Sequence, residues 1–472
     1  MTVQPQVLVD GRVISHPTAG GRGVGRYTIG LVRAMHESGA VVTVMNASKA
    51  DEQKWLDVIP SLQVAPFEPS TVRAASPDTW FMCTQMMLHP IPLDVVPRMI
   101  TEAGLRVVGI LHDVIPYRYP EQYLCDPSAL RQSQLRAVLV RTFDAMVANS
   151  TFSADTGSPV LDFNRSQIHV VGAAVEPQFC EGLVSESRLL RLIDKGVDLA
   201  RGLVVAVTGG DDRKNTPRLI RAWGSIASEL RTSHQLVIAC AAVPVVQARW
   251  REVADSIGLT EHDVVFTDTV TDDEMVALYQ AARLSVMPSL EEGFGLPVAE
   301  AAACGCITIC SNNSSLPEVI DCDEALFDAN DVLDIARAIE WALTDNEHRE
   351  RLRAAATRSA LRWTWENVGR DAVAALRGSS GRRKSVVVAN RIGLMGPMAG
   401  SPSGIGTYNA RLVDAWHENR DLPEIVECVD VSNTTIAVND YHSAAGLGRY
   451  WYSHDVDHLI VSLGSSPYHA MS

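Results

Sequence analysis

Short apolar runs alternate with stretches of helical periodicity along most of the chain. The segments VLVDG from Val7, VVTVM from Val41, RVVGILHD from Arg106, DAMVANS from Asp144 and QIHVVGAAV from Gln167 read as strands. Between the first two, Gly25 to His36 sets Ile29, Val32 and Met35 on one helical face. Continuous Val/Ile/Leu runs, rather than alternating ones, predict parallel strands covered on both faces. A polar helical stretch from Cys180 to Arg201 then crosses to a second series: LVVAVTGG from Leu203, HQLVIAC from His234, DVVFTD from Asp263, RLSVMPS from Arg283 and CITIC from Cys306. Helices are expected between these strands over 216–230, 245–257, 272–282 and 296–303. A long helical stretch over 332–361 and an amphipathic helix over 365–376 follow. Two strand–helix series predict an α/β protein with two doubly wound, Rossmann-like domains, over 1–185 and 186–378. The functional cleft is expected between the carboxyl ends of their strands.

A Gly-, Ser- and base-rich linker, RGSSGRRKS from Arg377, centres on 379–385. The pattern then restarts. G-V-G-R-Y with L-V-R-A-M-H-E, from Gly23 to Glu37, returns with the same spacing as G-I-G-T-Y with L-V-D-A-W-H-E, from Gly404 to Glu418. A duplicated unit accounts for this better than a short solenoid repeat. Residues 386–472 are read as a partial third Rossmann-like segment, the incomplete opening of a second unit. It keeps the Gly-rich start at Gly404 and Gly406 and a later LGSSPYH from Leu463, and is expected to be loosely ordered or to pack on the first unit.

Composition narrows the class. The 472 residues are 46% hydrophobic and 21% charged, ordinary globular usage. A net charge of -15 argues against a nucleic-acid partner, though a local basic cleft is compatible with it. No stretch reaches the roughly 18 apolar residues of a membrane span. The start, MTVQPQVLVDGRVIS, does not read as a secretory leader. Nine scattered cysteines fit reduced thiols and a cytoplasmic setting. Cys304, Cys306 and Cys310 fall where a helix end runs into a buried strand, and are read as small buried hydrophobes, not zinc ligands. The spacings Asp321-Cys-Asp323 and Asp455-Val-Asp457 are read as chance, with no metal site.

Four stretches carry chemistry. In SLEEGFGLPVAEAAACG, Gly293 and Gly295 form a tight loop before a helix opened by Leu296 and Pro297, so free N–H groups and the positive helix end face an anion. Glu292 lies on that loop and Glu300 about one turn into the helix, so both carboxylates can accept from sugar hydroxyls across one cleft. A solvated Glu and a cap Glu are the plainer alternative. In TGGDDRKNTP, Arg213 and Lys214 precede a helix start, a position unfavourable for cations unless an anion such as a diphosphate is bound. In GGRGVGRY, Gly23 and Gly25 allow close backbone approach to phosphate, but G-x-G-x-x-G and the ribose-binding acid of a dinucleotide site are missing. In ILHDVIP, His112 and Asp113 end an apolar strand, and His112 is a candidate polarising group.

With these stretches in order, residues 7–376 resemble the retaining nucleotide-sugar glycosyltransferases of the GT-B fold, glycosyltransferase family 4. The run from VTDDEMVALYQAARLSVMPSLEEGFGLPVAEAAACG to SNNSSLPEV carries the likeness, and HDVIP with SNNSSLPEV looks most like bacterial mannosyltransferases of surface-polysaccharide synthesis. The resemblance implies two domains facing across a cleft. It places Gly23 and Gly25 near the donor diphosphate, His112 by the transferred sugar and Arg213 with Lys214 on the diphosphate. Glu292 would face the donor sugar and Glu300 the nucleotide ribose. Gly293, Phe294, Gly295 and Leu296 would complete the donor loop, with 316–319 on the nucleotide side. Thr208 stands where many relatives have a further Arg. The implied reaction needs neither metal nor protein nucleophile. It would move a sugar, mannose from GDP-mannose, to a glycan or lipid-linked acceptor, with peripheral contact at the inner face of the plasma membrane. A phosphorylase or epimerase of the same fold, or a non-catalytic glycan-binding subunit beside a second glycosyltransferase unit, are the alternatives.

Overall fold

The computed structural model describes residues 4–16, 23–46, 48–87, 95–182, 186–240, 242–379, 391–395, 404–417, 424–429 and 458–461. Seven parallel strands form the first sheet: β1 (Gln6–Asp10), β2 (Val41–Asn46), β3 (Gln63–Pro66), β4 (Trp80–Cys83), β5 (Arg106–Leu111), β6 (Ala145–Ala148) and β7 (Ile168–Val170), in the order β3-β2-β1-β4-β5-β6-β7. The second sheet has six parallel strands: β8 (Gly202–Val207), β9 (His234–Ala239), β10 (Val264–Phe266), β11 (Ala282–Met287), β12 (Thr308–Ser311) and β13 (Leu326–Phe327), in the order β10-β9-β8-β11-β12-β13. Both are doubly wound, with the chain reversing direction beside β1 and beside β8, where crevices form at the strand carboxyl ends. The central strands are buried along nearly their whole length, as their continuous apolar sequences demand.

The periodicity does not single out β3, β4 and β13. β3 is QVAP, half-exposed at the sheet edge, and β13 is two residues long. β4 is four residues, WFMC, too short to separate from a helical fragment by pattern. The long helical stretch after Val332 is two helices, Val332–Thr344 and Asn346–Arg362. Asp345 divides them: its carboxylate accepts from the His348 N–H at 2.8 Å and caps the second.

The final helix of this region, Trp365–Gly378, leaves the second domain and packs on helix Gly23–Glu37 of the first. Glycines allow the approach. A Cβ at Gly30 would lie 2.1 Å from the Trp365 ring, and one at Gly369 would lie 2.3 Å from the Ala34 carbonyl. The two domains are thus tied by the chain connection that follows β7 and again by this returning helix.

The helix Gly404–His417 lies between β14 (Arg391–Met395) and β15 (Glu424–Val429), and β16 (His458–Val461) pairs with β14. The order β15-β14-β16, all parallel, is that of β2-β1-β4 in the first sheet. Most of the linker, Asp455-Val-Asp457 and the segment from Leu463 lie outside the described residues. No helix among the described residues is long and apolar enough to cross a membrane.

Candidate active site in the interdomain cleft

The basic pair sits on a single 3-10 turn, Asp212–Lys214, that follows β8. Asn215 ends the turn in a left-handed conformation, φ 60°, and buries its side chain. Its amide donates to the carbonyls of Pro288 (3.0 Å) and Ala329 (2.7 Å), and the Leu290 N–H donates to the Arg213 carbonyl at 2.7 Å. The basic turn is therefore pinned to the loop after β11, which carries Glu292. Lys214 Nζ lies 2.7 Å from Glu292 Oε1, and Arg213 Nη1 lies 2.9 Å from Glu292 Oε2. Arg213 also donates to the Glu291 carbonyl (2.8 Å) and to Asp211 Oδ2 (3.2 Å).

Burial alone would raise the Glu292 carboxyl, but Lys214 and Arg213 outweigh it and hold the group below the usual glutamate range. Burial works against the Arg213 charge, yet Glu292 and Asp211 fix it above the ordinary guanidinium value. Arg213 and Lys214 thus share one crevice with the Glu292 and Asp211 carboxylates, so the cations are held in place by charges that an incoming anion can compete with.

The glycine loop is shaped from beneath. The Ser315 hydroxyl donates to the carbonyls of Glu292 (3.0 Å) and Phe294 (2.8 Å), and the Glu292 N–H donates to Ser314 Oγ at 3.1 Å. Gly295 is left-handed, φ 100°, with no room for a side chain because Leu316 would lie 2.4 Å from its Cβ. Helix Leu296–Ala303 starts immediately after it. Phe294 contributes only backbone here, because its ring is buried edge-on against Trp363 at 5.0 Å. Leu316 and Val319 are likewise core residues.

Glu300 lies on the next helical turn, with the Tyr279 hydroxyl 3.4 Å from its Oε2. Burial pushes its carboxyl up to about 7, against the partial opposition of Arg26 from the first domain. Arg26 itself pairs with Asp272 of the second domain at 2.9 Å. Gly23 and Gly25 occupy the first turn of helix Gly23–Glu37, not the loop before it. Gly20 and Gly21 of that loop lie outside the described residues.

His112 follows β5 of the first domain and is partly buried. Its ring meets Tyr27 edge-on at 5.1 Å, and its Nε2 is buried with no hydrogen-bond partner. Burial lowers its pKa to about 4, so the imidazole is neutral at physiological pH.

Across the cleft, Gly293 presses on this strand end. A Cβ on Gly293 would lie 2.5 Å from the His112 carbonyl oxygen. The Gly293 carbonyl accepts from Ser150 (2.5 Å) and Ser153 (2.9 Å), and Ser153 also donates to the His112 carbonyl. Glu318 accepts from the N–H groups of Thr151 and Phe152, capping a first-domain helix. His112, Arg213, Lys214, Glu292 and Gly293 therefore converge at one place. Ser150, Ser153, Asp211 and Asn215, which complete it, were not singled out in the sequence; Glu318 lies in the 316–319 stretch expected at the site, and it caps the first domain's helix. Among the described residues there is no group of three or more His, Cys, Asp or Glu arranged to hold a metal ion.

Comparisons with known proteins bear on this arrangement. Residues 195–359 match the family model described as Glycosyl transferases group 1. The serotype-specific mannosyltransferase WbdA of Escherichia coli is 34% identical over 283 residues, 60% of this chain and 34% of that protein. The O-antigen chain mannosyltransferase B of Escherichia coli is 28% identical over 262 residues, 56% of this chain and 68% of that protein. The chain thus spans about a third of the length of the first curated relatives it matches. Among solved structures, HepE of Anabaena in complex with UDP and glucose aligns over 79% of this chain and 99% of its own, with a TM-score of 0.59 and 16% identity. Sucrose-phosphate synthase of Thermosynechococcus elongatus aligns over 78% and 96%, with a TM-score of 0.55 and 18% identity. Residues 195–359 are therefore similar to the glycosyl transferases group 1 domain, within a chain whose two-domain fold is GT-B.

Proposed function

We propose that the first unit is a retaining, metal-independent glycosyltransferase that takes a hexose from a nucleotide-sugar donor. The observation that carries this reading is the Arg213–Lys214–Glu292 cluster beside the free end of helix Leu296–Ala303. Paired cations and the positive end of the helix are complementary to a diphosphate and stabilise the charge that grows on it as the sugar leaves. Glu292, which pairs with both cations, becomes free to accept from sugar hydroxyls once a diphosphate takes them over. Neutral His112 supports the sugar from the opposite domain without adding charge. The leaving phosphate receives the acceptor's proton on the same face of the sugar, so no protein nucleophile is assigned.

Mannose from GDP-mannose is the donor this reading favours, since the most similar curated relatives include mannosyltransferases. A glycan or lipid-linked saccharide of a surface polysaccharide is the acceptor, reached at the cytoplasmic membrane surface. Residues 386–472 are the opening of a second such unit. The repeated motif and the shared β2-β1-β4 order support this.

The test is a calorimetric panel of GDP, UDP, dTDP and ADP without metal, on the wild type and Lys214→Ala. One nucleotide is expected to bind, and to lose about 1.5–3 kcal/mol in the variant, the size of a hydrogen bond to a charged group. Wild-type protein that binds none of the four overturns the donor reading.

A further inference from the structure

Arg213 is gripped from the opposite domain. After β5, the Asp113 carboxylate accepts from the Ile115 N–H at 3.0 Å and starts two short turns, Ile115–Arg118 and Pro120–Tyr123. These turns extend onto the second domain. Arg118 pairs with Glu291 at 2.9 Å and the Tyr119 hydroxyl donates to Glu291 Oε2 at 2.7 Å. The Tyr123 hydroxyl donates to Asp211 Oδ2, and the Gln122 amide lies 3.3 Å from Asp211 Oδ1. Glu291 and Asp211 are the residues that flank Arg213: one gives it a carbonyl, the other a carboxylate oxygen.

The two oxygens of Asp211 do different things. Oδ1 accepts from the Arg213 N–H at 3.1 Å, which caps the basic turn, and from the Gln122 amide at 3.3 Å. Oδ2 is shared between Arg213 Nε of its own domain and the Tyr123 hydroxyl of the other. A cap needs only the first oxygen. The second forms a chain, Tyr123–Asp211–Arg213–Glu292, that runs from the first domain to the centre of the basic crevice.

We propose that Tyr123 and Asp211 are positioning residues: the approach of the first domain, sensed by the Tyr123 hydroxyl, fixes the Arg213 guanidinium in the orientation that receives the donor diphosphate. This rests on the donor reading above. It makes diphosphate affinity depend on a residue that is on the other domain and reaches Arg213 only through Asp211.

The experiment is a binding cycle on the full chain. The nucleoside diphosphate selected by the panel is titrated into wild type, Tyr123→Phe, Arg213→Ala and the double variant, with the matching nucleoside monophosphate as a second probe. Tyr123→Phe is expected to weaken the diphosphate roughly three- to tenfold, the modest size of a lost hydrogen bond whose loss loosens Arg213 without removing it. In the Arg213→Ala background the same change should cost less than about twofold, and the monophosphate should be insensitive to it, because its single phosphate does not use Arg213 in the same way. Asp211→Asn keeps the capping oxygen and loses the charge; it should repeat the loss for the diphosphate. Equal losses in both backgrounds, equal losses for both probes, or no loss in Tyr123→Phe each overturn the proposal while leaving the donor site intact. A wild type that binds none of the panel overturns the donor reading, and this one with it.

Discussion

Gly293→Ala perturbs the cleft without perturbing either domain's own backbone. Gly293 does not have a left-handed φ, so alanine is conformationally acceptable there. The obstacle is across the cleft: the added Cβ would lie 2.5 Å from the His112 carbonyl oxygen and 2.9 Å from the Asp113 Cβ. Ordinary contact needs about 3.5 Å, so a separation of about 1 Å has to be found. The glycine loop cannot readily retreat, because Ser315 holds the carbonyls on either side of it and Ser314 holds the Glu292 N–H. The domains must part instead, stretching the bonds from Ser150 and Ser153 to the Gly293 carbonyl. Overpacking of this kind costs about 1–3 kcal/mol, most of it relieved by the opening, so the melting midpoint should fall by no more than about 5 °C. Displacing His112 by about 1 Å from a sugar held on the second domain should lower kcat about 100-fold. Nucleoside diphosphate affinity should fall by no more than about tenfold, because Arg213, Lys214 and Glu292 move together and only the Tyr123 hydrogen bond to Asp211 is stretched by the opening. Initial-rate assays, calorimetry and thermal melts on the same preparation separate these effects. A variant that turns over within about twofold of wild type would refute the argument that this contact sets the working geometry.

Three further outcomes follow from the same cluster. Glu292→Gln leaves Arg213 and Lys214 facing each other without their shared carboxylate, so the empty protein should lose about 2 kcal/mol in chemical denaturation; a nucleoside diphosphate should restore more stability to it than to wild type, and a variant that binds the nucleotide as poorly as Lys214→Ala would contradict that. Burial pushes the Glu300 carboxyl up to about 7, and on the proposal that it faces the donor ribose, only its ionised form accepts from two hydroxyls. Donor affinity should therefore decline as pH falls below about 7, approaching tenfold per unit, and Glu300→Gln should flatten the profile; an identical slope in the variant assigns it elsewhere. His112 should stay neutral from pH 5 to 8, since burial lowers it to about 4; carbon-13 spectra of labelled histidine, assigned with His112→Gln, would show a midpoint near 6.5 if burial were without effect.

The parts legible in the sequence are those in which one domain speaks for itself. Continuous apolar runs marked the central strands other than four-residue β4, because a buried parallel strand has no polar face to hide. Glu292, the two glycines after it and the basic pair were legible because one loop and one turn present them within a few residues, and that spacing is already the geometry. β3 and β13 were not, because short edge strands are defined by their neighbours and not by their own residues. The second layer of the site was hidden for a related reason. Tyr123 and Asp211 are 88 residues apart, and Ser150 and Gly293 are 143 apart. Each looks locally like a turn residue or a helix cap, and each in fact has that local task as well: Ser150 caps the helix Thr151–Leu161 and Asp211 caps the basic turn. A residue whose local role is already satisfied emits no signal for its second role. The interdomain surface is built largely from such doubly used groups, so the cleft's separate walls can be read from the chain, while the contacts that bring the walls together can be read only from the fold.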